Sequence, residues 1–562
     1  MDSIDRFWLK HYPEGVRPHL EYPDKALYTY LEETAAAYPT QIATEFMGAK
    51  RTYAQLADDV SRLAAALTAL GVGRGDRVAV MLPNCPQCVM SYYAVLRAGG
   101  VVVFTNPLYV EREIEFQLKD SGAETMITLD MLWPRVAAVQ GRTKLKNVIV
   151  TSVADYLKFP LKQLYPIKAK KEGQLVHVPP GAAHRFTALM AKHKPAPAPF
   201  KVTGDDIALF QYTGGTTGTS KGVILSNRNL VANTLQTAEW LVNTKPATER
   251  TLCALPFFHV YGMTTCMNFA VMNAGTMILL PRFIVKDVLK TIQKTKPTLF
   301  PGAPTMYVAL NNYPEVQKYD LKSIKACISG AAPLMVETYE QFEKLSGGRL
   351  VEGYGLTEAA PVTHANPIWG KRKAGSIGLP FPDTDVKIVD VETGTKVLPI
   401  GEIGELCVRG PQVMIGYWGK REETALVLRD GWLHTGDIAK MDDEGYAYIV
   451  ERKKDMIIAG GYNIYPREVE EVLYEHPKVK EAAVAGIKDP YRGETVKAYI
   501  VLKEGETATA EEFIDFCKGK MAKFKVPTLV EFRGSLPRTL VGKVLRRVLI
   551  EEEQAKQAGK PA

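Results

Sequence analysis

Two apolar runs of strand length, Ile207-Ala208-Leu209-Phe210-Gln211-Tyr212 and Gly222-Val223-Ile224-Leu225, flank a stretch rich in Gly and Thr. The pattern predicts a hairpin-like pair of strands joined by a loop. From about 376 to 450 the pattern becomes short and alternating, as in Asp385-Val386-Lys387-Ile388-Val389 and Gly404-Glu405-Leu406-Cys407-Val408, with turn residues between. This predicts a small antiparallel barrel or sheet. Beyond Arg452-Lys453-Lys454-Asp455 helix and strand alternate: Val469, Val472 and Leu473 stand at helical spacing, and Lys497-Ala498-Tyr499-Ile500-Val501-Leu502 reads as a strand. Thr509 followed by Glu512 has capping-box spacing and predicts the start of the helix holding Phe513, Ile514 and Phe516. A small α+β domain is therefore expected after about residue 452.

Composition adds bounds. At 562 residues the chain is too long for one compact core and should form two or more domains. Hydrophobic residues at 46% and charged residues at 23% describe a folded, soluble chain. The start, Met1-Asp2-Ser3-Ile4-Asp5-Arg6, leads into no apolar stretch, so no secretory signal is expected. Runs such as Val101-Val102-Val103-Phe104 and Met277-Ile278-Leu279-Leu280 fall far short of the roughly 20 residues that cross a bilayer. Seven cysteines, an odd number, fit a reducing compartment, so the cytoplasm is expected. Cys85 and Cys88 form a CxxC, but no second pair completes a zinc site and a structural role is favoured. A net charge of +8 favours anionic partners, among which nucleotides, CoA, phospholipid and nucleic acid all qualify.

One segment departs from the rest. Between about Tyr156 and Lys201, Lys158, Lys162, Lys168, Lys170 and Lys171 interleave with Tyr156, Phe159 and Tyr165, and Pro195-Ala196-Pro197-Ala198-Pro199 comes after them. A solvated loop is the simpler reading; the alternative is a patch resting on an anionic surface, peripheral on the inner face of the cell membrane.

The chemistry gathers in the loop Tyr212-Thr213-Gly214-Gly215-Thr216-Thr217-Gly218-Thr219-Ser220-Lys221-Gly222. Small residues let backbone N–H groups approach phosphates, while hydroxyls and an ammonium complete an anion site. It is not a Walker A loop, since Lys221 follows Ser220 and precedes Gly222 rather than standing in G-x-x-x-x-G-K-[ST]. Alone the loop is equally a turn or linker. Its weight comes from five motifs downstream, in chain order: Ser329-Gly330-Ala331-Ala332-Pro333-Leu334, Gly353-Tyr354-Gly355-Leu356-Thr357-Glu358, Gly431-Trp432-Leu433-His434-Thr435-Gly436-Asp437, Glu451-Arg452-Lys453-Lys454-Asp455 and Pro537-Arg538-Thr539-Leu540-Val541-Gly542-Lys543.

With these motifs in order, the chain resembles the adenylate-forming superfamily of acyl-CoA synthetases, luciferases and peptide-synthetase adenylation domains. It looks most similar to the bacterial long-chain fatty acid CoA ligases, which share Gly at position 215. The resemblance runs from the N-terminal region to about Arg547. It implies an α/β fold: a large N-terminal AMP-binding domain (1–451) of layered α/β subdomains (about 1–200 and 201–375) plus a small β-barrel (376–451), a hinge at 452–454, and a small mobile α+β C-terminal domain (455–562) carrying a catalytic lysine.

It also implies a reaction. A carboxylate attacks the α-phosphate of ATP, releasing pyrophosphate and leaving an acyl-adenylate, from which the CoA thiol displaces AMP. By matching motifs, Thr213, Gly214, Gly215, Thr216, Thr217, Gly218 and Lys221 would hold the β- and γ-phosphates, and Glu358 would hold the Mg²⁺ bridging them. Ser329, Gly330, Ala331, Ala332, Pro333 and Tyr354 would line the adenine pocket, Gly353 and Gly355 would be further ATP/AMP contacts, and Thr357 would contact the α-phosphate. Asp437 would accept from both ribose hydroxyls and Arg452 would reach the ribose. Lys543 would stabilise charge that is greatest in the adenylation transition state. Lys454 matches the hinge, and Gly460, Gly461 and Tyr462 the pantetheine channel.

The segment Pro256 to Met263 matches the acid-binding side, with His259, Val260, Met263 and Gly330 as acyl contacts. No Asp stands there, so amino acids are not the expected acid. The long-chain enzymes place an aromatic gate near Met263, a departure here. Three readings remain: a medium- or long-chain fatty acid–CoA ligase, an aryl- or other acid–CoA ligase of the same mechanism, and a non-enzymatic basic membrane or nucleic-acid binder. The first carries no nucleic-acid partner, and leaves open whether the chain forms a homodimer.

Overall fold

The computed structural model describes residues 6–173, 175–213, 220–459, 462–489, 492–539 and 544–557. The chain divides into two compact units. One comprises Leu9–Asp385 with Arg409–Gly431; the other comprises Met1–Trp8, Val386–Val408 and Trp432–Ala562.

Three sheets organise the larger unit. The widest runs Gly416–Tyr417, Lys221–Ser226, Ile207–Thr213, Val101–Phe104, Arg77–Met81, Thr125–Leu129, Asn147–Thr151 and His184–Arg185. From Ile207–Thr213 onward its neighbours are parallel. Helices cover such strands on both faces, so they read as continuous apolar runs, and Val101–Phe104 and Thr125–Leu129 are buried throughout. The helix Pro86–Arg97 is likewise buried at every position, Cys88 included. Burial pushes the Cys85 thiol up to about 12 and the Cys88 thiol well above its ordinary value, which opposes a thiolate and fits a structural role. A second sheet orders Arg250–Cys253, Thr276–Leu279, Ile42–Phe46 and Ala49–Thr52, and a third Ala326–Ser329, Arg349–Gly355, Val362–Ala365 and Leu379–Pro380.

The expected hairpin is present: Ile207–Thr213 and Lys221–Ser226 pair antiparallel, with Thr213 opposite Lys221. The basic segment differs from the solvated-loop reading. Leu161–Lys171 is an α-helix with Pro166 inside it, and Phe186–Lys192 is a further short helix. Pro-rich composition hides a helix of this kind, because one proline removes only its own donor and a short helix keeps the rest of its ladder.

In the smaller unit Gly404–Arg409 pairs antiparallel with Trp432–Met441, which pairs with Ala447–Arg452, giving the alternating sheet that the sequence predicts. The C-terminal part is α+β. Val479–Asp489 and Gly493–Leu502 form a long antiparallel pair, extended by Leu529–Phe532 on one side. Strand periodicity distributes its side chains. Ala482, Val484, Val496, Ala498 and Ile500 pack with Val469, Leu473 and Phe513 on one face, while Ala483, Ala485, Tyr499 and Val501 pack with Leu536 and Leu549 on the other. Each fully buried Val or Ile contributes about 1.5–3 kcal/mol. The helix Ala510–Lys518 starts at Thr509, whose side chain accepts from Glu512 N, but only this half of the capping box forms. Glu512 instead pairs with Lys478 at 2.7 Å, an ion pair that competes for its carboxylate.

Candidate functional site

The hairpin Ile207–Thr213/Lys221–Ser226 brings its loop to a fixed mouth. Residues 214–218, expected to hold phosphate, lie outside the described residues, but both feet are in place. Ser220 Oγ donates to Thr213 O at 2.5 Å, and Tyr212 OH donates to Asp120 Oδ2 at 2.6 Å. Lys221 forms an ion pair with Glu423 and stands 5.0 Å from the centre of the Tyr417 ring. Tyr417, from the strand Gly416–Tyr417 paired to Lys221–Ser226, donates its OH to Glu358 Oε1 at 2.8 Å. Lys221, Tyr417 and Glu358 are therefore joined through one side chain.

Glu358 lies in the turn Thr357–Ala359 after the strand Arg349–Gly355, and Met414 N donates to its carbonyl at 2.8 Å. Its second carboxylate oxygen accepts no hydrogen bond among the described residues. No group of three or more His, Cys, Asp and Glu that could cage a metal occurs among the described residues. A cation such as Mg²⁺ commonly uses one or two carboxylates plus substrate phosphates, and the half-open Glu358 carboxylate is a hard donor that fits this.

The segment expected to receive adenine runs along the ends of two parallel strands. Ser329 ends Ala326–Ser329, paired in register with Glu352 of Arg349–Gly355. Ser329 Oγ, Gln211 Oε1 and His364 Nε2 are buried without hydrogen-bond partners among the described residues. Buried polar atoms normally find a partner, and unpaired ones also occur elsewhere in the chain, as at Ser91 and Gln117. A Cβ on Gly355 would stand 2.2 Å from Pro361 O, so glycine is required there, while one on Gly330 would press on the Tyr261 ring at 3.1 Å. Ala331 takes φ 73°, so the chain bends sharply there, with Ala331 and Pro333 exposed and Ala332 partly so. Tyr354 meets the His364 ring edge-on, centroids 6.0 Å apart. Gly353 sits buried against Ile328.

In the segment expected to bind the acid, His259 caps a short helix, its Nδ1 accepting from Tyr261 N at 3.3 Å. Burial lowers its pKa to about 4, so it is neutral. Val260 and Met263 are buried, and Met263 opens a π-helical turn, Met263–Asn268, a local widening of the helix often found at functional sites. Tyr261 OH donates to Ile328 O at 2.7 Å, tying this segment to the strand that ends at Ser329.

In the smaller unit Asp437 and Arg452 are cross-strand partners, with Arg452 Nε 3.5 Å from Asp437 Oδ1. Lys453 Nζ donates to Glu405 Oε2 at 3.1 Å. Lys454 is exposed on the turn after Arg452, where Asp455 N donates to Arg452 O at 2.9 Å. Tyr462 opens the strand Tyr462–Ile464, paired with Ile457–Ala459. Gly460, Gly461 and Lys543 lie outside the described residues, as does the Tyr462 side chain. Sequence reasoning missed Tyr417, Glu423, Gln211 and His364. None belongs to a local motif, and Tyr417 is 59 residues from the Glu358 it serves.

The chain is similar to known proteins along most of its length. The AMP-binding enzyme family matches residues 31–418, and the AMP-binding enzyme C-terminal domain matches 468–543. The long-chain-fatty-acid–CoA ligase of Bacillus subtilis is 53% identical over 97% of this chain and 98% of its own length. A feruloyl-CoA synthase from Amycolatopsis is 37% identical over 90% of this chain and 95% of its own. Among solved structures, ATP-bound MatB from Rhodopseudomonas palustris superposes with a TM-score of 0.83 at 31% identity, covering 94% of this chain and 99% of that one. The hairpin feet and the half-open carboxylate thus sit within a match that spans most of the sequence, and the chain belongs to the AMP-binding enzyme family.

Proposed function

We propose that the protein is a long-chain fatty acid–CoA ligase, converting ATP, a fatty acid and CoA to acyl-CoA, AMP and pyrophosphate through an acyl-adenylate. The observation that carries this reading is the 53% identity over 97% of the chain to a protein named for that activity. The convergence of Lys221, Tyr417 and Glu358 supports it with chemistry. Crowded phosphate charge needs cationic and hard-oxygen neighbours, and the 213–221 hairpin supplies an ammonium beside a carboxylate.

In this reading the feet of the hairpin hold the β- and γ-phosphates, and Glu358 would hold Mg²⁺, which would supply charge to neutralise them. Tyr417 keeps the Glu358 carboxylate oriented by donating to one oxygen. The buried Ser329, Gln211 and His364 groups complete their hydrogen bonds on the nucleotide side, and Asp437 accepts from the ribose hydroxyls with Arg452 beside it. Lys543 stabilises the charge developing as carboxylate oxygen attacks phosphorus. The working boundary falls at 452–454, where Lys454 is the pivot that exchanges Lys543 for the pantetheine channel at 460–462.

Membrane contact extends the reading. On the helix Leu161–Lys171, Leu161, Leu164 and Ile167 are exposed at three-residue spacing, and Phe159 just before it is 81% exposed. Lys158, Lys162, Lys170 and Lys171 are exposed around them. Apolar residues flanked by lysines suit an anionic bilayer surface. Cosedimentation with anionic phospholipid vesicles should drop when these four lysines become Gln; equal binding would count against this contact.

Aryl acids are the second reading, favoured by the 37% identity to a feruloyl-CoA synthase. A panel measuring pyrophosphate release separates the two. Turnover of palmitate supports the first; turnover of coumarate-like acids with none of palmitate sinks it.

A further inference from the structure

Lys543 belongs to a segment whose two ends are closed on each other. Arg538 and Val544 form an antiparallel bridge, and Leu545 N donates to Pro537 O at 2.8 Å. The helix Arg546–Gln557 begins immediately after. The foot of this loop is therefore fixed by Arg546, three residues beyond Lys543.

Arg546 is mostly buried and is held by three carboxylates. Its guanidinium donates to Glu470 Oε1 and Oε2 at 2.8 and 2.7 Å, to Glu451 Oε1 at 2.9 Å, and to Asp455 Oδ2 at 3.4 Å. Glu470 and Asp455 lie after residues 452–454, on the same side as Arg546 itself. Glu451 lies before them, on the strand Ala447–Arg452, and it is the immediate chain neighbour of the Arg452 that pairs with Asp437. Glu451 is 4% exposed, and its other oxygen accepts from Arg467 N at 2.8 Å, again from beyond the pivot. Arg467 returns a bond in the same direction, from Nη1 to Ile449 O at 2.8 Å. A single carboxylate thus spans 452–454 twice, to the start of one helix and to the foot of the Lys543 loop.

We propose that Glu451 is a positioning residue: a latch that anchors the foot of the segment bearing Lys543, through Arg546, to the strand pair bearing Asp437 and Arg452, and so serves the half-reaction that uses Lys543, adenylation, rather than thioester formation. This rests on the ligase reading and on the pivot at 452–454. A bidentate-capable guanidinium suits the task, because its planar fork holds direction where an ammonium holds only charge. A rotation that withdraws Lys543 must part Glu451 from Arg546, whereas Glu470 and Asp455 travel with it.

The test uses full-length wild type, Glu451→Gln and Arg546→Lys, with palmitate. Two half-reactions are read: pyrophosphate release without CoA, and palmitoyl-CoA formation from supplied palmitoyl-AMP. Glu451→Gln should slow the first about tenfold, as expected for a lost hydrogen bond to a charged group, and leave the second within a factor of about two. Arg546→Lys should give a smaller loss in the same half-reaction. Equal losses in both half-reactions would make Glu451 merely structural and overturn the latch, as would no loss in either. A wild type that releases no pyrophosphate with palmitate would sink the ligase reading and the latch together; an active wild type with an indifferent Glu451→Gln sinks only the latch.

Discussion

Glu358 and Glu451 each stand in a charged or polar motif, yet the fold surrounds them differently. Glu358 is half-exposed and has one side-chain donor, the Tyr417 OH, leaving an oxygen open. Glu451 is buried and saturated, by Arg546, Arg467 N and Arg452 N. Burial raises its pKa while Arg546 opposes the shift, so its ionised form depends on the guanidinium. An open carboxylate can take a ligand's cation; a saturated one can only hold protein. In the proposed reaction the difference separates a group that would meet the substrate from one that would set where other groups stand.

The comparison can be broken at several points. Lys543→Ala should show the largest effect, a fall in pyrophosphate release of about 100- to 1000-fold or more with thioester formation from supplied acyl-AMP preserved; normal adenylation would refute the assigned role. Glu358→Gln should lower adenylation about 100-fold and raise the Mg²⁺ concentration needed for half-maximal rate. Its melting temperature should stay near wild type, since the residue is half-exposed. If instead Glu358→Gln melts far lower with an unchanged Mg²⁺ requirement, Glu358 is structural and the contrast with Glu451 disappears. Tyr417→Phe should cost about tenfold or less in the same rate, the worth of one hydrogen bond of roughly 1 kcal/mol.

The smallest effect concerns acid stability. Burial depresses His259 to about 4 and His364 to about 3 from an ordinary 6.5. Both are neutral when folded, so the unfolded chain binds more protons below pH 6.5. Stability is full above that value and falls as the pH drops towards 4, by at most about 1.4 kcal/mol per pH unit for each histidine. His364→Gln should flatten part of that slope in melting curves taken between pH 7 and 4.5; an unchanged slope would show that His364 titrates normally.

Much of this arrangement is legible in the chain alone. The Thr213–Lys221 loop lies between two strands as its flanking apolar runs imply, and Asp437 lies on a strand within the alternating region. The helix Pro466–Tyr474 carries Val469 and Leu473 into the core at helical spacing. Most of the illegible part is of one kind, contacts between residues far apart in sequence. Tyr417 and Glu358 are 59 residues apart, and Arg546 and Glu451 are 95 apart. The helix Leu161–Lys171 is obscured for a different reason, because proline and lysine content outweighs a weak apolar stripe.

The sequence by itself determined the hairpin at 207–225, the alternating strands after 376, the helix and strand alternation beyond 452 and the order of the motifs, because periodicity and short spacing are local properties of a chain. The tertiary structure alone decided which polar groups share a partner: that Tyr417 occupies one oxygen of Glu358, that Lys221 faces Glu423, and that one buried arginine gathers Glu451, Asp455 and Glu470. Those pairings follow from strand register and helix packing over long separations, where the free energy of burying a charge forces it to find a partner that no local pattern names.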